Sequence, residues 1–230
     1  MLERLDYVKL GPRRILDAAS GPPRRELAKR YRGAQVIALD FALGMLRPTG
    51  FFRRNLSICA DVERLPIGDQ AVDFVWCNMA LHWLSGPLSA FREFARVLAP
   101  EGLLMFSTLG PDTLKELRGT AGAARVHGFV DMHDLGDMLV AAGFSAPVMD
   151  MEMIEMVYSR EATLLDDLAK SGQTNARADR PRGLAGRGFG ERLRAALPGR
   201  VTFEVVYGHA WINRKANQDT KTVRVFKRMP

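Results

Sequence analysis

Residues suited to holding a nucleoside stand at the ends of successive short apolar runs. They are Asp17, Gly21, Asp40, Asp61 and Asn78. Asp40 follows Gly21 by 19 residues, the separation at which a carboxylate accepts hydrogen bonds from both hydroxyls of a ribose. Acidic residues also follow strands that bind nothing. The assignment of Asp40 to a ribose is therefore supported by the presence of Asp17 and Gly21 rather than by Asp40 alone. Together these positions predict a nucleoside site along one edge of a sheet.

The turn after the first apolar run departs from the glycine-rich pattern of such sites. Glycines there let the backbone approach a ligand and adopt positive φ angles. Here Ala19 stands where the first glycine is expected, and Gly21 is kept. Pro22 and Pro23 follow, each fixing φ and removing an N–H donor. We therefore expect a stiff and crowded turn.

Two further pairs extend the predicted site. The Asp61 side chain and the Val62 N–H are placed to read an adenine edge, although Asp61 could instead cap the turn that follows it. Asn78 and Met79 end the fourth apolar run. The sequence thus offers contacts from four neighbouring strands.

Short apolar runs alternate with helix-like segments through the first two thirds of the chain. The runs are 15–19, 36–40, 56–61, 72–78 and 103–108, as expected for strands buried on both faces. Helices are predicted over 87–98, with Pro87 in the first turn, and over 132–142, capped by Asp131. This alternation predicts a doubly wound, mostly parallel α/β sheet.

The pattern changes after Gly143. Strands are predicted over 148–158 and 202–211, with a helix over 162–171 between them and a further apolar run at 223–226. These two strands fit an antiparallel edge hairpin that carries a long insertion. The insertion holds seven arginines between Arg177 and Arg200, which fit either a solvated surface or a contact with an acidic partner.

Composition limits the classes of protein. We expect one domain over residues 1–230, because 230 residues with 47% hydrophobic content suit a single core. No apolar run approaches the roughly 20 residues that a membrane span needs, and aromatics for base stacking are scarce among the arginines. We therefore expect no membrane or nucleic-acid partner.

The two cysteines and the amino terminus indicate the compartment. Cys59 and Cys77 lie in apolar runs, where a cysteine is usually a small buried hydrophobe. The N-terminal residues contain no apolar signal region. The sequence predicts a reducing cytoplasmic location, and its residue spacing predicts no metal site.

Several short sequence segments, in their order along the chain, resemble the pattern of class I S-adenosylmethionine-dependent methyltransferases. They are 15–17 with Gly21, Asp40, 61–66, 72–75 and 96–102. The resemblance implies a seven-stranded Rossmann-like sheet whose residues 13–108 bind the cofactor, with acceptor-side elements over 109–230. It also implies that Asp40 holds the ribose, that Asp61 and Val62 hold the adenine, and that the methionine part lies near the remaining members, Asp17, Ala19, Gly21, Asn78 and Met79.

Three later strings are similar to the BioC family, the malonyl-acyl-carrier-protein O-methyltransferases of biotin synthesis. They are STLGPDTLKEL at 107–117, DMHDLGD at 131–137 and YGHAW at 207–211. The resemblance implies methyl transfer to the free carboxylate of a malonyl group on an acidic acyl carrier protein, or on coenzyme A. Members usually carry an N-terminal helix over the cofactor, whereas 16 residues precede Asp17 here.

A carboxylate acceptor is already ionised at neutral pH, so no base is required. Candidate catalytic groups are His82, Tyr207 and His209, and candidate acceptor contacts are Trp83, His133, Arg180 and Arg187. Each has an ordinary structural role as its alternative. Two other functions stay open: a binding or assembly factor that has lost methyl transfer, and a hydroxylase-like enzyme on the same scaffold.

Overall fold

The computed structural model describes residues 1–22, 26–46, 56–122, 125–158, 161–171 and 199–213, with the single positions 175, 180, 183, 188, 189 and 193. Seven strands form one sheet: β1 Arg14–Ala18, β2 Gln35–Asp40, β3 Leu56–Cys59, β4 Val72–Asn78, β5 Leu98–Leu109, β6 Ser145–Val157 and β7 Arg200–Trp211. The continuous described ranges hold five helices: α1 Glu26–Arg30, α2 Pro87–Val97, α3 Lys115–Ala121, α4 Met132–Ala141 and α5 Glu161–Lys170. Short 3-10 helices cover Leu2–Tyr7, Leu43–Leu46 and Leu81–Trp83.

The strand order is β3-β2-β1-β4-β5-β7-β6. All neighbours are parallel except that β7 is antiparallel to both β5 and β6. This confirms the predicted doubly wound, mostly parallel sheet with an antiparallel edge pair. Because the strand order reverses between β1 and β4, the connections that follow these two strands run in opposite directions and leave a crevice for a ligand at their carboxyl ends.

The parallel strands are apolar because both faces of the sheet are covered. On one face Leu16 belongs to a cluster with Phe91 and Phe94 of α2 and with residues of α4. On the other face Ile15 packs with Leu5 of the first 3-10 helix and with Leu27 of α1. Alternate residues of β1 are therefore equally buried.

The helix signals predicted two helices closely. Helix α2 begins with Pro87 in its first turn and ends at Val97. Helix α4 begins after Asp131, whose carboxylate accepts the His133 N–H. Both confirm the predicted helices to within one residue at each end.

The predicted bounds were less accurate for strands at the sheet edges. β3 ends at Cys59 rather than residue 61, and β6 begins at Ser145 rather than residue 148. The burial predicted for both cysteines is right for Cys77 and wrong for Cys59, which is exposed on the outermost strand. The predicted run at 223–226 lies outside the described residues.

β5 begins at Leu98, five residues before the predicted apolar run 103–108 and at the last residue of the predicted helix 87–98. Glu101 takes a positive φ of 63°, and its N–H donates to the carbonyl of Ile212. The chain through Pro100 and Gly102 is thereby held against the end of β7. Within the described ranges, no helix is long and apolar enough to cross a membrane.

Candidate active site

The turn after β1 keeps left-handed backbone at both predicted positions. Ala19 has φ 52° and Gly21 has φ 60°. The Ser20 N–H donates to the Leu39 carbonyl at 2.9 Å, tying the turn to the end of β2. Alanine therefore takes the conformation that glycine usually supplies, at a cost of about 1–2 kcal/mol. Pro22 follows in a bend, and Pro23 lies outside the described residues.

Asp40 lies directly against this turn. One carboxylate oxygen accepts the Gly21 N–H at 2.9 Å and the other accepts the Ala42 N–H at 2.8 Å. These two bonds fix the orientation of the carboxylate at the end of β2. Each oxygen retains capacity for a second donor, so Asp40 can still receive ribose hydroxyls.

The ends of β1 and β4 supply the next contacts. Asp17 is buried, at 8% exposure. Burial and then the Asp17 charge raise the pKa of the Cys77 thiol to about 12. Asn78 accepts a 2.9 Å hydrogen bond from the Ser107 hydroxyl. The Asn78 side-chain oxygen is therefore occupied by Ser107, and the side-chain N–H groups of Asn78 can donate to a ligand.

A cleft of about 600 Å³ opens at these strand ends. Of the predicted cofactor residues, it is lined by Asp17, Ala19, Gly21, Asn78 and Met79. Residues that the sequence did not indicate also line it, among them Leu2, Met45 and Trp76. The cleft gathers the residues predicted for the methionine part, while Asp40 is attached to its rim through Gly21.

Asp61 and Val62 follow β3 at the start of a loop that ends near Gln70. An oxygen of Asp61 accepts the Glu63 N–H at 2.9 Å, so the carboxylate does cap a turn. Val62 is buried, at 8% exposure. The cap leaves the second carboxylate oxygen for an adenine amino group, and the two roles are compatible.

One face of α2 anchors this loop. Glu93 accepts the Leu65 N–H at 2.7 Å. Arg96 donates to the carbonyls of Leu65 and Ile67, at 3.0 and 2.7 Å, and to the Glu93 carboxylate. Ser89 is hydrogen-bonded to Glu63.

The ion pair between Arg96 and Glu93 shifts the pKa of both side chains. The hydrogen bond from Arg96 is the main cause lowering the pKa of Glu93, opposed by partial burial. The same bond raises the pKa of Arg96. Both groups are therefore charged at neutral pH, and the loop after Val62 is held at a fixed distance from the helix.

A second, mostly apolar cavity of about 230 Å³ lies beside the cleft. Trp83 lines both, and its ring is the wall at which they adjoin. Leu114 and Leu117 before and within α3, and Leu165 and Leu168 of α5, line its far side. A cavity of this kind suits the uncharged arm of a second substrate.

Rings of four residues cluster at the wall: His82, Trp83, His127 and Phe129. The centroid of His82 lies 5.0 Å from that of Trp83, and the centroid of His127 lies 5.9 Å from that of Trp83. His82 is buried, with Nδ1 3.5 Å from the Thr108 hydroxyl. His82 is thus the one predicted catalytic candidate that lines this cavity.

Tyr207 and His209 lie elsewhere. They line a different cleft, between β7, β6 and the first 3-10 helix. Tyr207 donates to Glu152 at 3.3 Å and lies under the Arg4 guanidinium. Burial and the Arg4 charge lower the pKa of His209. The structure therefore does not bring these two candidates together with His82.

The predicted acceptor contacts are also dispersed. Trp83 lies at the wall, whereas His133 is exposed and bonded to Asp131 at 2.8 Å. Arg180 is exposed, and Arg187 lies outside the described residues. Among the described ranges, no cluster of three or more His, Cys, Asp or Glu side chains could hold a metal ion.

Sequence reasoning missed Arg125 and His127, which both line the apolar cavity. They stand before Phe129 in a segment without regular periodicity, so no pattern marked them. The available signal was their position just ahead of the DMHDLGD string at 131–137.

The chain was compared with known proteins. A family model described as a methyltransferase domain matches residues 16–106. A malonyl-[acyl-carrier protein] O-methyltransferase of Methylovorus sp. is 48% identical, over 92% of this chain and 79% of the relative. Another relative, from Coxiella burnetii and named malonyl-[acyl-carrier protein] O-methyltransferase 1, is 38% identical over 99% of this chain and 85% of its own length.

Solved structures agree on the fold. The YcgJ protein of Bacillus subtilis has a TM-score of 0.63 at 17% identity, covering 93% of this chain and 97% of that one. Phosphoethanolamine N-methyltransferase 2 of Haemonchus contortus, in complex with S-adenosyl-L-methionine, has a TM-score of 0.54 at 16% identity, covering 93% of this chain and 51% of that one.

Proposed function

Because this chain belongs to the malonyl-[acyl-carrier protein] O-methyltransferase family, we propose that it methylates the free carboxylate of a malonyl thioester. S-adenosylmethionine is the methyl donor of this family. When bound it supplies an electrophilic methyl group: an acceptor oxygen forms the new C–O bond, the C–S bond breaks, and its electron pair stays on sulfur. The products are a methyl ester and S-adenosylhomocysteine, and no proton moves.

The observation that carries the proposal is the meeting of a polar cleft and an apolar cavity at Trp83. Methyl transfer needs two substrates whose reacting atoms face each other in a site that excludes water. The cleft offers carboxylate and amide groups suited to a charged nucleoside. The cavity offers apolar walls suited to a thioester arm.

On this proposal Asp40 receives the ribose hydroxyls and Asp61 with Val62 receives the adenine. The methionine part is surrounded by Asp17, Ala19, Gly21, Asn78 and Met79. The cleft that these five residues line supports this assignment. Residues 13–108 thus hold the donor, while residues 109–230 supply most of the acceptor side.

The acceptor side needs alignment rather than base catalysis, since the attacking carboxylate is ionised at neutral pH. We assign His82 and Trp83 to positioning the acceptor at the wall. The carrier of the malonyl group is an acidic acyl carrier protein, with malonyl-CoA as the alternative carrier. The net charge of +7 would speed the encounter with an acidic partner. The proposed location of the reaction is the cytoplasm.

The test is calorimetric titration with S-adenosylhomocysteine, followed by assay of methyl transfer to malonyl-carrier protein. We expect micromolar binding, and Asp40→Asn should weaken it at least tenfold because a ribose acceptor loses its charge. Asp137→Asn makes the same charge change at an exposed position of α4 and should bind like the parent.

Binding without methyl transfer to either carrier would favour the factor that has lost methyl transfer. No binding up to millimolar ligand would reject the donor site itself. Equal affinity of Asp40→Asn and the parent would show that the ribose lies elsewhere.

A further inference from the structure

The apolar cavity has one cationic corner. Among its described lining residues the ionisable side chains are His82, Arg125 and His127, and none is acidic. A cavity whose described lining holds a positive side chain and no acidic one favours an anion over a cation. The corner therefore calls for a ligand with negative charge.

The hydrogen bond of His127 fixes which of its ring nitrogens a ligand could meet. Its Nε2 is bonded to the backbone carbonyl of His82. A carbonyl oxygen only accepts, so Nε2 carries the proton. Nδ1 is buried and makes no hydrogen bond to any residue in the described part of the chain.

An unsatisfied buried nitrogen costs about 1–3 kcal/mol, which a ligand hydrogen bond would offset. A carboxyl group of a ligand can complete Nδ1 through one hydrogen bond in which the two groups share a proton.

Arg125 adds a permanent charge two residues away. Its guanidinium lies over the Phe189 ring, 4.4 Å from the ring centroid. Such stacking uses the face of the guanidinium, so an anionic oxygen can bind along its edge. The stack holds the charge at the cavity without neutralising it.

Position relative to the donor site completes the argument. The His127 ring centroid is 5.9 Å from that of Trp83, and Trp83 is the wall shared with the cleft. A carboxylate bound beside His127 therefore lies on the side of the cavity that adjoins the donor cleft. One oxygen can be held while the other is left to react.

We propose that Arg125 and His127 form the subsite that selects the carboxylate of the acceptor. This inference rests on the proposed function, whose acceptor is a malonyl thioester. It deepens that function by assigning the discrimination between a malonyl and an acetyl group to two residues of this cavity. A charge-assisted hydrogen bond is worth about 1.5–3 kcal/mol, so the subsite should favour malonyl roughly tenfold to hundredfold.

The experiment compares the dissociation constants of malonyl-pantetheine and acetyl-pantetheine, which differ only in the terminal carboxylate. Titrations are run with and without S-adenosylhomocysteine. We expect the parent to bind the malonyl thioester at least tenfold more tightly. His127→Phe keeps the ring volume and should lower this preference about tenfold while changing acetyl binding less than twofold.

Arg125→Met should also lower the preference, whereas Arg125→Lys should keep part of it. Arg32→Met removes the same charge at an exposed position and should leave the preference unchanged. His127→Gln gives a second reading at His127 should the phenylalanine variant fold poorly, and it should also lose preference.

Equal affinity of the parent for the two thioesters would overturn the inference, as would an unchanged preference in the His127 and Arg125 variants. Failure to bind S-adenosylhomocysteine would count against the proposed function alone. In that case the titrations without S-adenosylhomocysteine still decide whether the carboxylate is selected here.

Discussion

Replacing Ala19 by glycine tests whether the turn at the donor site stores conformational strain. Ala19 has φ 52°, a region in which an L-residue costs about 1–2 kcal/mol. Glycine adopts this region without that cost. Ala19→Gly should therefore relieve the turn while leaving its hydrogen bond from Ser20 to Leu39 in place.

Two smaller effects oppose the gain. Glycine makes the unfolded chain more flexible, which costs about 0.4–1 kcal/mol. The half-buried methyl group contributes about half of the roughly 0.8 kcal/mol of a fully buried carbon. The expected net change in unfolding free energy is a gain of about 0.5 kcal/mol.

Ala18→Gly is the matched control. Ala18 is fully buried in β1 and has no positive φ to relieve. It carries the same entropic cost and loses a whole buried methyl, so we expect a loss of about 1.5 kcal/mol. The entropic cost cancels between the two variants, which leaves a difference of about 2 kcal/mol.

Urea unfolding followed by circular dichroism measures this difference. With an m-value of about 2–3 kcal/mol per molar urea, the midpoints should differ by about 0.7–1 M, with Ala19→Gly the higher. Similar losses in both variants would refute the reasoning, because they would mean that Ala19 pays no left-handed penalty.

Three other outcomes follow from the contacts around the site. Arg96→Met should lower the unfolding free energy by about 2 kcal/mol and weaken S-adenosylhomocysteine binding in calorimetry, while Arg92→Met, exposed on the same helix, should do neither. Because the folded pKa of Glu93 is lowered, its stabilisation is complete above the unfolded value near 4.3 and is lost as pH falls through the folded value; Glu93→Gln should flatten the acid limb of unfolding free energy against pH. With a thiol reagent at pH 8 the native protein should react at one cysteine, exposed Cys59, and only the unfolded protein at both, since burial raises the pKa of Cys77 to about 12; two fast thiols in the native state would contradict this.

The strand ends that line the donor cleft could be predicted because their signals are local in sequence. The separation of Gly21 and Asp40 predicted a ribose contact for Asp40, which stays a prediction, and in the structure the Gly21 N–H donates to the Asp40 carboxylate. Parallel strands buried on both faces appear in the sequence as continuous apolar runs. The helix starts are marked by Pro87 in the first turn of α2 and by Asp131 as the N-cap of α4. The methyltransferase resemblance is confirmed by the matching family model and relatives.

The acceptor half could not be predicted in the same way. The cavity is assembled from separate elements, 3-10 helix 81–83, α3, the segment around His127 and α5, whose proximity depends on tertiary packing. Sequence reasoning therefore chose its catalytic candidates by residue type. The structure places His82 and His209 in different cavities. Those catalytic assignments stay predictions.

The reversed direction of β7 separates the evolution of the two substrate sites. Since β7 is antiparallel to β5 and β6, the chain leaves β6 and enters β7 on the side where β1 and β4 end. The described part of the segment between Val157 and Arg200 therefore begins and ends on that side of the sheet, and its helix α5 lines the cavity. Loops tolerate changes of length at little entropic cost, so this segment can be exchanged for that of a relative without altering any strand pairing. Acceptor range should therefore be transferable between such enzymes with this segment, while the donor contacts from β1, β2 and β4 are inherited unchanged.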